Sequence, residues 1–181
     1  MKRKNVLMLI FVLSGCSGAA APDLKTYDLG ITAPATSLPP VRVGAVRAVA
    51  PFEATDMQYR LAYRNPAEIA AFAHSRWAAA PAELFRKQLL RAVNEQAARC
   101  GLRVEIQEFT QVFTAKEASE ARIELRAWLG TGPERAVSRG ISVVEPNAGL
   151  DAVSGAAAMA RAANRAIADI GAWIAAQQAC R

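Results

Sequence analysis

The chain has 181 residues, with 22 lysines and arginines against 16 aspartates and glutamates, a formal balance of +6 of which Lys2, Arg3 and Lys4 supply three. With the rest of the excess scattered along the chain, nothing reads as a nucleic-acid binder. The single histidine, His74, excludes a multi-histidine zinc site, and about 150 residues beyond the first 26 suit one domain with one core.

Taken in chain order, the basic start at Lys2, Arg3 and Lys4 precedes an unbroken apolar run over residues 6–13 and a small-residue step at Ser14, Gly15 and Cys16. That is the pattern of a secretion signal, and the run is too short for a spanning helix, which needs roughly 20 apolar residues. Leu13-Ser14-Gly15-Cys16 resembles a bacterial lipobox; an ordinary secretory signal with an incidental cysteine is the alternative. The resemblance implies cleavage before Cys16, acylation of its thiol and new amine, and attachment to a membrane. Each buried methylene contributes about 0.8 kcal/mol, so several acyl chains hold firmly. Ser17 stands where an aspartate would resemble an inner-membrane retention signal, so the expected address is the periplasmic face of the outer membrane. The expected division is a signal peptide over 1–15, a lipidated cysteine and tether over 16–26, and a single periplasmic domain over 27–181.

Small apolar and polar residues alternate over 41–49 and predict a strand. Met57, Tyr59, Leu61 and Tyr63 alternate with Gln58, Arg60, Ala62 and Arg64, predicting a second strand paired with the first. Asn65-Pro66 has the chemistry of a helix start, so a short helix is expected through Phe72. Pro81 opens a longer helix, with Phe85, Leu89, Val93, Ala97 and Cys100 on one stripe and Gly101 as its stop. Strands follow over 102–106, 121–129 and 134–144, and an alanine-rich amphipathic helix closes the chain over 151–177. Gly155 and Gly171 inside that helix each cost about 1 kcal/mol relative to alanine, which points to close contact with the sheet or another subunit. This order of elements fits an α+β fold, a two-layer domain with a largely antiparallel sheet and helices packed on one face.

Of three cysteines, lipidation would consume Cys16 and leave Cys100 and Cys180 as an even pair in an oxidising compartment. A disulfide between them is expected if the two helices that end at these residues lie side by side; two free thiols are the alternative.

No catalytic set emerges. His74 is the one candidate base for a serine or cysteine nucleophile and, beside Arg76 and Trp77, reads as a surface or packing residue; no phosphate-cradling glycine loop occurs, and the carboxylates at Glu53 and Asp56, Glu105 and Glu108, and Glu117, Glu120 and Glu124 mostly alternate with apolar residues as a solvated sheet face would. The reading is therefore of a non-enzyme with no metal and no cofactor. The aromatic residues Tyr59, Tyr63, Phe72, Trp77 and Phe85 read first as core. As the alternative, Tyr59, Arg60, Tyr63 and Trp77 would contact a partner, since tyrosine, tryptophan and arginine are enriched at interface hot spots.

Tyr27-Asp28-Leu29-Gly30, residues 41–49 running into Pro51, Met57-Gln58-Tyr59-Arg60, Ser75-Arg76-Trp77, Pro81-Ala82-Glu83-Leu84 and residues 113–129 together resemble the ABC-type transport auxiliary lipoproteins, which include the lipoprotein of the paraquat-inducible Pqi system. The resemblance runs from Tyr27 to about Trp173. Residues 52–55 and 137–146 match it less well. It implies a lipid-anchored accessory subunit that docks an MCE-domain assembly, served by an inner-membrane ABC transporter, to the outer membrane during intermembrane lipid transport. Its partners would be the MCE-domain protein, the transporter components and, for a cap on a symmetric assembly, further copies as a homo-oligomer. Two other readings remain open: a periplasmic lipoprotein that itself carries a lipid, and a lipoprotein of envelope structure or assembly.

Overall fold

The computed structural model describes residues 23–180 apart from 32, 33, 35, 94, 95, 97, 133, 134 and 148, so the signal segment, Cys16 and most of the tether lie outside the described residues. Seven strands and two helices follow in the order β1 (Lys25–Tyr27), β2 (Arg42–Ala48), β3 (Asp56–Arg60), β4 (Ala70–Trp77), α1 (Pro81–Ala92), β5 (Gly101–Ala115), β6 (Ala118–Gly130), β7 (Val137–Asn147) and α2 (Ala152–Ala175). They form the expected α+β domain, a single mixed sheet with both helices against one face. The long pairings, β5 with β6 and β6 with β7, are antiparallel, whereas β2 and β3 each lie parallel to β5 and β1 lies parallel to β4.

Strand β5 organises the sheet. One edge pairs along its length with β6; the other is shared end to end, β2 beside residues 101–106 and β3 beside Gln111 and Val112. The first two predicted strands therefore do not pair with each other. A loop over residues 49–55 carries the chain from one to the other, and the side chain of Phe52 is buried there.

A bulge at Gln107 separates the pairs Ile106↔Leu125 and Glu108↔Glu124, so Ile106 and Phe109 both face the helices although three positions apart. Strict alternation stops at residue 106 for this reason, and the sequence pattern shows less than half of a 15-residue strand.

Two further expectations need correction. The helix expected through Phe72 is absent: Asn65 Oδ1 accepts from the amide of Ala67 at 3.1 Å in a turn, and Ala70–Trp77 is a strand held between β1 and β3. Strand pairing on both sides outweighs the local cap signal. The helix begun by Pro81 ends at Ala92 rather than Cys100, because Val93 turns extended and bridges Leu38, whose amide donates to Ala92 O at 2.8 Å. Cys100 thus sits at the start of β5. It still forms the disulfide with Cys180, at a Cα separation of 5.4 Å, because α2 returns the chain to that end of the sheet.

Helix α2 begins with a reciprocal cap between Asp151 and Ser154. Its stripe of Met159, Ala163, Ile167, Ile170 and Ile174 is buried against Phe109, Ile123 and Leu125. Gly155 brings α2 down onto the sheet: a Cβ there would overlap the side-chain amide of Gln111, itself buried and donating to Ser119 Oγ at 3.0 Å. At Gly171 an added Cβ would meet only ordinary contacts with Leu38 and Thr36.

Candidate functional site

The helices cover one face of the sheet, and the other face is open. In β6 the odd positions from Ala121 to Leu129 are buried under the helices, while Glu120, Arg122, Glu124, Arg126 and Trp128 stand on the open side. Their cross-strand neighbours on β5 are Val112, Thr110, Glu108, Glu105 and Arg103.

This face divides along its length. Towards the β5–β6 hairpin the charges are paired. Arg60 makes a two-pronged contact with Glu108, both arms at 3.0 Å, and Thr110 donates to the same carboxylate. Arg122 donates to Glu120 at 2.7 Å, and that hydrogen bond raises the guanidinium pKa above its ordinary value. At the other end, Arg42, Arg47, Arg99 and Arg103 are exposed with no ion pair among the described residues. Arg103 lies over the ring of Trp128 at 5.8 Å, a cation–π contact worth about 0.5–1 kcal/mol at an exposed site.

Around that pair runs an open cleft of about 370 Å³ lined by Arg42, Arg99, Arg103 and Trp128, with Gly101 and Gly130 in its lining. Guanidinium groups present planar, permanently charged donor forks that match carboxylates and phosphates, and a neighbouring indole adds apolar contact area. The chemistry suits recognition of an anionic group. Among the described residues no group of three or more His, Cys, Asp or Glu side chains is placed to hold a metal ion, and no helix is long and apolar enough to cross a membrane.

The expected contact residues are not brought together on one surface. Trp77 is 3% exposed and packs edge-on against Phe109 at 5.4 Å, so it belongs to the core and offers a partner nothing; this corrects the contact reading for that residue. Tyr59 is half-buried between Phe72 and Phe113, with ring centroids at 4.8 and 5.9 Å. Arg60 is engaged by Glu108, and only Tyr63, 40% exposed, faces solvent freely. Cys16 lies outside the described residues, and His74 is exposed on β4. The arginine and tryptophan cleft was missed. Its signal was a tryptophan in the polar phase of β6, where alternation places Trp128 in line with Arg122 and Arg126.

No family model matches the sequence, and no curated protein is detectably similar to it. Solved structures do share the fold. A Xanthomonas campestris protein described by the family model DUF330 superposes with a TM-score of 0.67 at 19% identity, over 83% of this chain and 93% of that one. An uncharacterised protein superposes with a TM-score of 0.61 at 14% identity, over 84% and 99%. A structure from Caulobacter crescentus described as a candidate lipoprotein overlaps 52% of this chain and 82% of that one at 18% identity; its TM-score of 0.35 carries nothing over to this chain.

Proposed function

We propose that this chain is a lipid-anchored periplasmic docking subunit that binds an MCE-domain assembly and holds it at the outer membrane, without catalytic chemistry of its own. The observation that carries the docking role is the one-sided sheet: the helix side is sealed, and the open side ends in a cleft where Arg42, Arg99 and Arg103 stand around Trp128 with no ion pair among the described residues. Exposed arginines beside a half-buried tryptophan bring together residue types that dominate binding energy at interfaces. The lipobox-like step at Cys16 and the resemblance to auxiliary lipoproteins supply the anchor and the class of partner.

Geometry supports the same reading. β1 runs parallel to β4, which starts beside the Gln111 level of β5 and runs away from the hairpin, so the chain before Lys25 comes from the hairpin side. From Cys16 to Lys25 it reaches at most about 30 Å. Lys25 joins the sheet level with the middle of β5, and the cleft lies further on, beside the start of β5. The rival role of lipid carrier finds little room, because the space under α2 is filled by Phe109, Ile123, Leu125, Ile167 and Ile170.

The test is affinity recovery of the full chain from membranes. Wild type should bring down an MCE-domain protein, and Arg42→Glu with Arg103→Glu should reduce recovery at least tenfold with an unchanged circular dichroism spectrum. Recovery of outer-membrane assembly factors alone would overturn the reading, as would a Cys16→Ala chain that fractionates and labels with palmitate like wild type.

A further inference from the structure

The outer edge of β7 is half sealed and half open, and the open half is complementary to itself. Among the described residues β7 ends the sheet and pairs only with β6. Over its last residues the edge is closed from above by α2. Arg165 donates to Val144 O at 3.2 Å, Arg161 donates to Pro146 O at 3.1 Å, both hold Glu145 at 2.9 Å, and Pro146 has no amide hydrogen to offer. Those carbonyls point away from β6. Along a strand the direction alternates every residue, so Ser142, Gly140 and Ser138 also turn their amide hydrogens and carbonyl oxygens outward. All three are exposed, and no partner for them occurs among the described residues. Unsealed edges of this kind are templates for pairing with another strand.

The sequence around this open stretch reads Val137-Ser138-Arg139-Gly140-Ile141-Ser142-Val143, symmetric about Gly140 except for Arg139 against Ile141. A two-fold axis through Gly140 would place Ser138 opposite Ser142 of a second copy and Gly140 opposite Gly140. Each such pair exchanges both hydrogen bonds, six in all. Val137, 49% exposed, would lie opposite Val143 and find apolar cover. A Cβ built at Gly140 meets nothing within 4 Å, so the sheet face beside this position is uncovered among the described residues. The arginine seal at Val144 stops the pairing at both ends and fixes its register.

We propose that two copies of this chain pair antiparallel through residues 138–142 of β7, making one continuous sheet across an isologous interface. This inference does not depend on the docking function.

Sedimentation equilibrium and non-reducing gels of the detergent-solubilised full chain test it. Wild type should be a dimer. Ser142→Pro removes only an outward amide, which proline tolerates on an edge, and should weaken the dimer at least tenfold with an unchanged circular dichroism spectrum. Gly140→Cys should form a disulfide-linked dimer, since directly opposed, hydrogen-bonded residues lie about 5.5 Å apart at Cα, while Glu117→Cys at the hairpin tip should not. A wild-type monomer, an oligomer indifferent to Ser142→Pro, or equal cross-linking at both cysteine positions would overturn the proposal.

Discussion

The two faces of this sheet are built from the same strands, often from adjacent residues, yet they serve opposite ends. Ala127 and Leu129 are lost under α2, while Trp128 between them stands at the mouth of an arginine-lined cleft. Stability is concentrated on the helix side, where Phe109, Ile123, Leu125, Met159, Ile167, Ile170 and Ile174 are each no more than 2% exposed. The open side is left to charge. A fold divided in this way can alter its recognition surface with little cost to its core, and the contrast can be tested from either direction.

The largest expected effect is on the closed face. Phe109→Ala should lower unfolding free energy by about 3–5 kcal/mol in urea titration, whereas Trp128→Ala should cost less than about 1 kcal/mol; equal losses would break the contrast. Removing the covalent link between β5 and the end of α2, by Cys100→Ser with Cys180→Ser, should cost about 2–4 kcal/mol, since it frees a loop of 80 residues' separation in the unfolded chain. A smaller effect sharpens the reading of Gly155. Gly155→Ala should destabilise by about 1 kcal/mol because the new methyl displaces Gln111. In a Gln111→Ala background the same change should instead stabilise by up to about 1 kcal/mol, the gain in helix propensity; a cycle without this change of sign would refute the contact.

Acidification should act where α2 is tied down. The Arg165 hydrogen bond, with that of Arg161, holds the Glu145 carboxyl below its ordinary pKa of 4.5, and hydrogen bonds from Ser154 hold Asp151 below 3.8. A depressed carboxylate contributes stability that is full above its ordinary pKa and lost as pH falls through the folded value. Tm should therefore fall as pH drops below about 4.5, and Arg161→Gln with Arg165→Gln should flatten that fall in a differential scanning series. The open face should contribute least: Arg42→Glu with Arg103→Glu should change stability by no more than about 1 kcal/mol, the worth of the Arg103 cation–π contact it removes. A larger loss would mean that the cleft holds the fold together.

Local chemistry marked several elements well. Pro81 opens α1 and Asp151 caps α2, as proline at a first helical turn and a capping aspartate should. The stripe from Met159 to Ile174 is buried as its spacing requires. Strict alternation over residues 121–129 placed β6 and both of its faces, so Trp128 was visible on the solvent side before its surroundings were known. Much less could be read from residues 65–77, where Asn65-Pro66 advertises a helix and β4 forms instead. β1 is three residues long and carries too short a pattern to register, so its Lys25 and Thr26 were read as tether.

By itself the sequence determined both helix starts, the central antiparallel strands and the lipobox-like start, because each rests on neighbours within a few residues, and it determined the fold class and the even cysteine count, because those follow from element order and composition. Only the tertiary structure decided that β2 and β3 share one edge of β5, that α1 stops at Ala92 where Leu38 claims its carbonyl, and that Trp77 is core rather than a contact residue. Those outcomes depend on backbone hydrogen bonds and packing between segments far apart in the chain. A local pattern cannot encode where such partners will meet, and the bulge at Gln107 erases the pattern at the point where the longest strand turns its side chains over.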